Sequence, residues 1–174
     1  EKTLAEQGLE RPARIVAFCP GAEYGPAKRW PAAHFATLAR ALAERGYALW
    51  LFGSPKDHGV AEELTLLAPG LCRTRCGATS LGQAVDLLAM CVLVGCHESG
   101  LMHVAAALDR PIVALYGSSS PGFTPPLSDQ ADILSLKLDC SPCFKRECPL
   151  GHLDCLNKLL PETVLAASLK RINQ

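Results

Sequence analysis

The sequence predicts an α/β domain built on a Rossmann-like, doubly wound parallel sheet. Three observations carry this. Short strands alternate with amphipathic helices along most of the chain. The strands (RIVAF, YALWLF, IVALY) are near-continuous apolar runs, the pattern of strands covered on both faces. The polar, glycine-rich turns follow strands: Cys19–Arg29, Gly53–His58, Cys96–Gly100 and Gly117–Pro121. Right-handed crossovers bring such turns to one sheet edge, where folds of this kind bind ligands.

In chain order, Arg14–Phe18 is a β-branched strand stopped by Pro20-Gly21. A helix is expected from Pro31 to about Arg45, with Phe35, Leu38, Ala39 and Leu42 at helical spacing, Pro31 in the first turn and Gly46 as the stop. Tyr47–Phe52 is a buried strand, Asp57–Ala68 a helix and Leu71–Thr74 a short strand. Ser80–Ala89 is a helix behind a cap at Thr79 or Ser80. Val92–Gly95 (strand), Ser99–Leu108 (helix), Ile112–Tyr116 and Ala131–Leu136 (strands) and Pro161–Ile172 (closing helix) complete the series. The domain is thus expected over 14–174, with a cysteine-rich excursion at 139–156. The charged leader, 1–13, is expected to be a linker from an N-terminal domain of a longer protein.

Composition narrows the class. The 174 residues are 49% hydrophobic and 20% charged, enough for one domain with a substantial core. Seventeen basic and seventeen acidic residues cancel, which argues against a nucleic-acid groove. The local pairs Lys28–Arg29 and Lys145–Arg146 remain available to one anionic ligand. No apolar run approaches the roughly 20 residues that span a bilayer. The opening stretch, charged and leading into a strand, does not resemble a secretion signal, so a cytoplasmic location is expected.

The most informative segment is VGCHESGLMHVAAALDRPIVALYG, Val94–Gly117. Glu98, Ser99 and Gly100 sit where a strand ends and a helix begins, with His103 one turn on. Unpaired helix N–H groups and the helix dipole suit a phosphate there, and Gly100 lets a ligand approach the backbone. Glu98 can accept from a sugar hydroxyl, and His103 can face the same ligand. The plainer reading makes Ser99 an N-cap and His103 a surface residue. In the loop after the first strand, Lys28 and Arg29 stand before a helix start, where cations cost dipole stability unless an anion binds. A solvated basic pair is the alternative. Trp30 is expected to pack under this loop. Asp57 fits either a ribose hydroxyl or a helix cap.

Nine cysteines fall into two groups. Cys19, Cys72, Cys76, Cys91 and Cys96 read as buried thiols. Cys140, Cys143, Cys148 and Cys155, with His152 nearby, fit a structural zinc site, one or two disulfides, or reduced thiols.

PGAEYGPAKRWP, LFGSPKDH, ESGLMHVAAAL and ALYGSSSPGFTPP, in this order and spacing, resemble the C-terminal domain of the ADP-heptose:lipopolysaccharide heptosyltransferases, from about Ile15 to the end. The motif CSPCFKRECPLGH…C recurs in that family. The resemblance implies the C-terminal, donor-binding half of a GT-B enzyme, in which two Rossmann-like domains face across a cleft. It implies an inverting transfer of L-glycero-D-manno-heptose from ADP-heptose to the lipopolysaccharide inner core. The catalytic base is expected on the N-terminal domain, so the chain alone is expected to bind donor and transfer nothing. By the same resemblance Lys28 meets the diphosphate and stabilises the leaving group. Glu98, Ser99, Gly100 and His103 form the donor loop, and Asp57 with Gly117, Ser118 and the rest of that turn lines the nucleotide side. No cofactor is required. The glycolipid acceptor implies work at the cytoplasmic face of the inner membrane. His97-Glu98 stands where the family usually has Asn-Asp; Glu98 keeps the charge with a longer reach, and His97 fits a packing substitution. A non-enzymatic nucleotide-binding module and half of a sugar-nucleotide epimerase are the alternatives. A dinucleotide dehydrogenase is disfavoured, because no Gly-x-Gly-x-x-Gly follows the first strand.

Overall fold

The computed structural model describes residues 2–174. Six parallel strands are ordered β3-β2-β1-β4-β5-β6: β1 (Ile15–Cys19), β2 (Ala48–Leu51), β3 (Cys72–Thr74), β4 (Leu93–His97), β5 (Ile112–Tyr116) and β6 (Ala131–Ser135). The helices are α1 (Lys2–Glu6), α2 (Ala32–Ala43), α3 (His58–Leu67), α4 (Leu81–Leu88), α5 (Gly100–Ala107), α6 (Asp154–Asn157) and α7 (Pro161–Ile172). This is the doubly wound α/β architecture expected from the sequence.

Alternation along the buried strands builds two cores. Val16 and Phe18 of β1 point to a layer with Phe35, Leu38 and Leu42 of α2, Leu64 of α3 and Val164 of α7. Ile15, Ala17 and Cys19 point the other way, to Leu87 and Leu88 of α4 and to Met102 and Ala105 of α5. Each strand buried on both faces removes roughly 1.5–3 kcal/mol of apolar exposure per large side chain, which is why these runs lack alternation.

Three differences from expectation have local causes. β4 runs two residues further than expected, through His97, because buried partners satisfy its polar ring. The leader expected as a linker holds α1, whose Leu4 is buried and whose Thr3 hydroxyl bonds Asp86 of α4 at 2.5 Å. The cysteine-rich excursion ends in the four-residue helix α6, which buries Cys155 and Leu156. Among the described residues, no helix is long and apolar enough to cross a membrane.

Candidate functional site

The strand order reverses between β1 and β4, so the connections after them diverge and open a crevice at their carboxyl ends. The loop after β1 carries one 3₁₀ turn, Pro26–Lys28. The Trp30 amide donates to His97 Nε2 at 2.7 Å, and His97 Nδ1 donates to the Gly21 carbonyl at 3.3 Å. Trp30 is buried as expected, and its indole N–H donates to the Leu159 carbonyl at 2.8 Å. Burial drives the His97 pKa down to about 4, so the ring is neutral. His97 is therefore more than a packing substitution.

Lys28 Nζ donates to Glu98 Oε2 at 2.6 Å and stands 4.7 Å from the centre of the Tyr24 ring. Burial alone would raise the Glu98 pKa. Hydrogen bonding from Lys28, Ser119 and Thr124, with the Lys28 charge, outweighs it and holds the carboxyl below its usual value. The same loop is tied to the cysteine-rich excursion. Ala27 N–H donates to the Arg146 carbonyl at 3.0 Å, and the Tyr24 hydroxyl donates to the Phe144 carbonyl at 3.0 Å. The Arg146 guanidinium stands 5.5 Å from the same Tyr24 ring. Gly25 has no room for a side chain, since a Cβ would lie 2.5 Å from that Arg146 oxygen.

Beside this pair lies a cleft of about 470 Å³, lined by Cys19, Gly21, Glu23, Phe52, Gly53, Ser54 and Asp57, by Thr79–Leu81 and Ala84 at the start of α4, and by Ser99, Gly100, Leu101 and Val104 at the start of α5. Ser99 occupies the N-cap position of α5 but makes no cap bond, and its buried hydroxyl has no partner. A side chain at Gly100 would meet nothing, so the helix start is open to a ligand. Apolar walls of Phe52, Leu81 and Val104 beside a helix N-terminus suit a molecule with a flat apolar part and an anionic part.

The structure brings Lys28 and Glu98 together, and Asp57, Ser99 and Gly100 to the cleft wall, without placing Lys28 or Glu98 among the lining residues. Asp57 is engaged locally: Oδ2 accepts from Ser54 N at 2.8 Å and Ser54 Oγ at 2.9 Å. His103 is exposed on α5 and off the cleft wall. Gly117 and Ser118 are not among the residues that line the cleft. Leu156 and Cys155 fill the space where a Gly117 side chain would be, and Ser118 faces the cysteine cavity. Arg146 is marked in the sequence only as one of a basic pair, and Tyr24 not at all; their meeting was not legible, because the contact spans more than a hundred residues. His97 left a trace: a polar ring in an apolar strand must find partners when buried.

Cys140, Cys143, Cys148 and Cys155 line one small cavity with His152. All nine cysteines are free thiols. Among the described residues, no three His, Cys, Asp or Glu side chains are grouped as they would be around a metal ion; structural zinc is one of three readings of these sulfurs. Backbone amides, Leu153 first and then Leu150, Gly151 and His152, bond the Cys148 sulfur and lower its pKa against the effect of burial.

Comparison with known proteins shows the family to which the chain is similar. The model of glycosyltransferase family 9 (heptosyltransferase) matches residues 1–154. The chain is 54% identical over 140 residues to lipooligosaccharide heptosyltransferase 2 of Haemophilus influenzae, covering 78% of this chain and 40% of that protein. It is 48% identical over 160 residues to lipopolysaccharide heptosyltransferase 2 of Escherichia coli, covering 90% and 45%. The solved structure of E. coli ADP-heptose lps heptosyltransferase II superposes with a TM-score of 0.87 at 43% identity, over 99% of this chain and 50% of that one. The chain thus spans about half the length of the relatives it matches. It belongs to glycosyltransferase family 9, the heptosyltransferases.

Proposed function

We infer that this chain is the donor-binding half of an inverting glycosyltransferase, taking ADP-heptose and serving heptose transfer to the lipopolysaccharide inner core. The observation that carries the reading is the open start of α5, with its unpartnered Ser99 hydroxyl, facing a cleft at the strand-order reversal. The apolar wall receives the nucleoside, the α5 amides meet the pyrophosphate, and Asp57 closes the nucleotide side. His103, Gly117 and Ser118 reach the donor only as the ligand or a second domain draws their segments in.

In the transfer, an acceptor hydroxyl oxygen attacks the anomeric carbon from the face opposite the nucleotide. The bond from that carbon to the ADP oxygen breaks, and ADP leaves with its electron pair. Lys28 and the α5 start lower the energy of the charge growing on the diphosphate. A general base must take the acceptor proton. That base belongs to an N-terminal domain outside this chain, so the chain alone binds donor and does not turn over. The acceptor is a membrane glycolipid, which places the whole enzyme at the cytoplasmic face of the inner membrane.

Thermal unfolding with ADP and ADP-heptose tests the reading. A ligand at ten to a hundred times its dissociation constant adds roughly 1.4–2.7 kcal/mol. A further gain from the heptose over ADP supports a sugar-nucleotide site. No stabilisation by either ligand removes the proposal.

A further inference from the structure

We propose that His97 is a positioning residue: its imidazole clamps both ends of the loop after β1 and so sets where Lys28 stands. One ring nitrogen holds the Gly21 carbonyl at the loop's start, and the other holds the Trp30 amide at its end, at 3.3 and 2.7 Å. Lys28 lies between these anchors, and its ammonium is held by the next residue of the same strand end, Glu98. The last residue of β4 and the residue that follows it thus fix the loop's backbone and its cation separately.

The chemistry selects imidazole. The clamp needs one donor and one acceptor, pointing outward in the plane of one rigid ring from two of its edges, in a site closed to water. Neutral histidine with the proton on Nδ1 supplies both. His97 is fully buried, so no solvent replaces either partner, and the edge of Phe35 against the ring, 5.6 Å between centres, holds its plane. An asparagine keeps a donor near the Nδ1 position but does not reach the Trp30 amide. A glutamine places an oxygen near Nε2 and keeps that acceptor.

The consequence for ligand binding rests on the donor-site reading above; the clamp itself does not. The test therefore has two arms. Amide hydrogen exchange is read along 21–30 in the free chain, and ADP affinity is measured by calorimetry, for His97→Leu, His97→Asn and His97→Gln. In His97→Leu the Trp30 amide is expected to exchange about tenfold faster, the equivalent of one lost hydrogen bond, while β1 and the start of β4 keep their protection. His97→Gln restores Trp30 protection and His97→Asn does not. ADP binding weakens in the same order. Unchanged exchange at Trp30 overturns the clamp, and so does an equal loss across β1, β4 and the loop, which marks general destabilisation. ADP affinity unchanged in His97→Leu, with the loop loosened, also overturns the positioning role. Failure of the unaltered chain to bind ADP removes the donor-site reading and with it the role toward a ligand, while the exchange arm still decides the clamp.

Discussion

Lys28 Nζ donates to Glu98 Oε2 across 2.6 Å, with both side chains nearly closed to solvent, at 12% and 15% exposure. This shielded cation is thus already paired with a carboxylate before any ligand arrives. An anion entering there competes with Glu98 for Lys28. Removing one partner leaves the other charge uncompensated, as in any shielded pair.

Glu98→Gln follows from that competition. The variant is expected to lose about 1–2 kcal/mol of stability in urea unfolding, because Lys28 loses its counter-charge. It is also expected to bind ADP more tightly, since Lys28 is free and a like charge beside the phosphates is gone. The extra affinity of ADP-heptose over ADP should shrink, because the variant lacks the carboxylate that the family resemblance assigns to the sugar. A fall in ADP affinity would contradict this account of the pair.

Acid should weaken the fold through two groups with the same sign. The folded pKa of Glu98 lies below its usual 4.5, so its contribution is present above 4.5 and is lost as pH falls through the lower folded value. The folded pKa of His97 is about 4 against the usual 6.5. The unfolded chain therefore takes up this proton first, and stability falls from pH 6.5 to about 4 by up to about 1.4 kcal/mol per pH unit. Arg29 and Asp57 are the charges that bear on the ring, and they oppose each other. Denaturant midpoints across this range should fall less steeply in His97→Gln; an unchanged slope would remove His97 as the source.

Gly21→Ala tests how tightly the loop and the Asp57 carboxylate fit. The added Cβ would lie 2.1 Å from Asp57 Oδ1, and Ser54 holds that carboxylate from its other oxygen. The cost should be about 1–3 kcal/mol, the range for overpacking. In Gly21→Ala combined with Asp57→Ala the cost should be smaller than the sum of the single costs. Additive costs in a double-mutant cycle would show that the clash is relieved elsewhere.

Thiol labelling followed by mass spectrometry should rank the cysteines. Burial pushes Cys91 and Cys96 up to about 12 and Cys19 well above its usual value, whereas backbone amides lower Cys148, so Cys148 should react first and these three last. Early labelling of Cys91 or Cys96 would mean that the core opens readily.

The elements were legible because most carry their own periodic or apolar signal: the six expected strands became β1 to β6, each end within two residues of its expected place. The crevice followed from the parallel order alone, since turns after parallel strands share an edge. Contacts between distant segments were not legible. Ile112–Tyr116 announces a strand from five residues, but nothing local in Gly117 shows that Leu156 and Cys155 pack against it and turn its loop away from the cleft. Nor does Lys28 reveal by itself that Tyr24 and Glu98 flank it, or that Arg146 stands over the same Tyr24 ring. Spacing marks which residues share an edge; side-chain partners come from packing.

Calorimetric titration of ADP into the chain and its Lys28→Ala variant decides whether the open start of α5 and Lys28 together form a nucleotide-diphosphate site. One ADP is expected per chain, with affinity lowered about tenfold or more in Lys28→Ala, the loss of one charge-assisted hydrogen bond to phosphate. Equal affinity in the two chains, or no heat of binding in either, would contradict such a site.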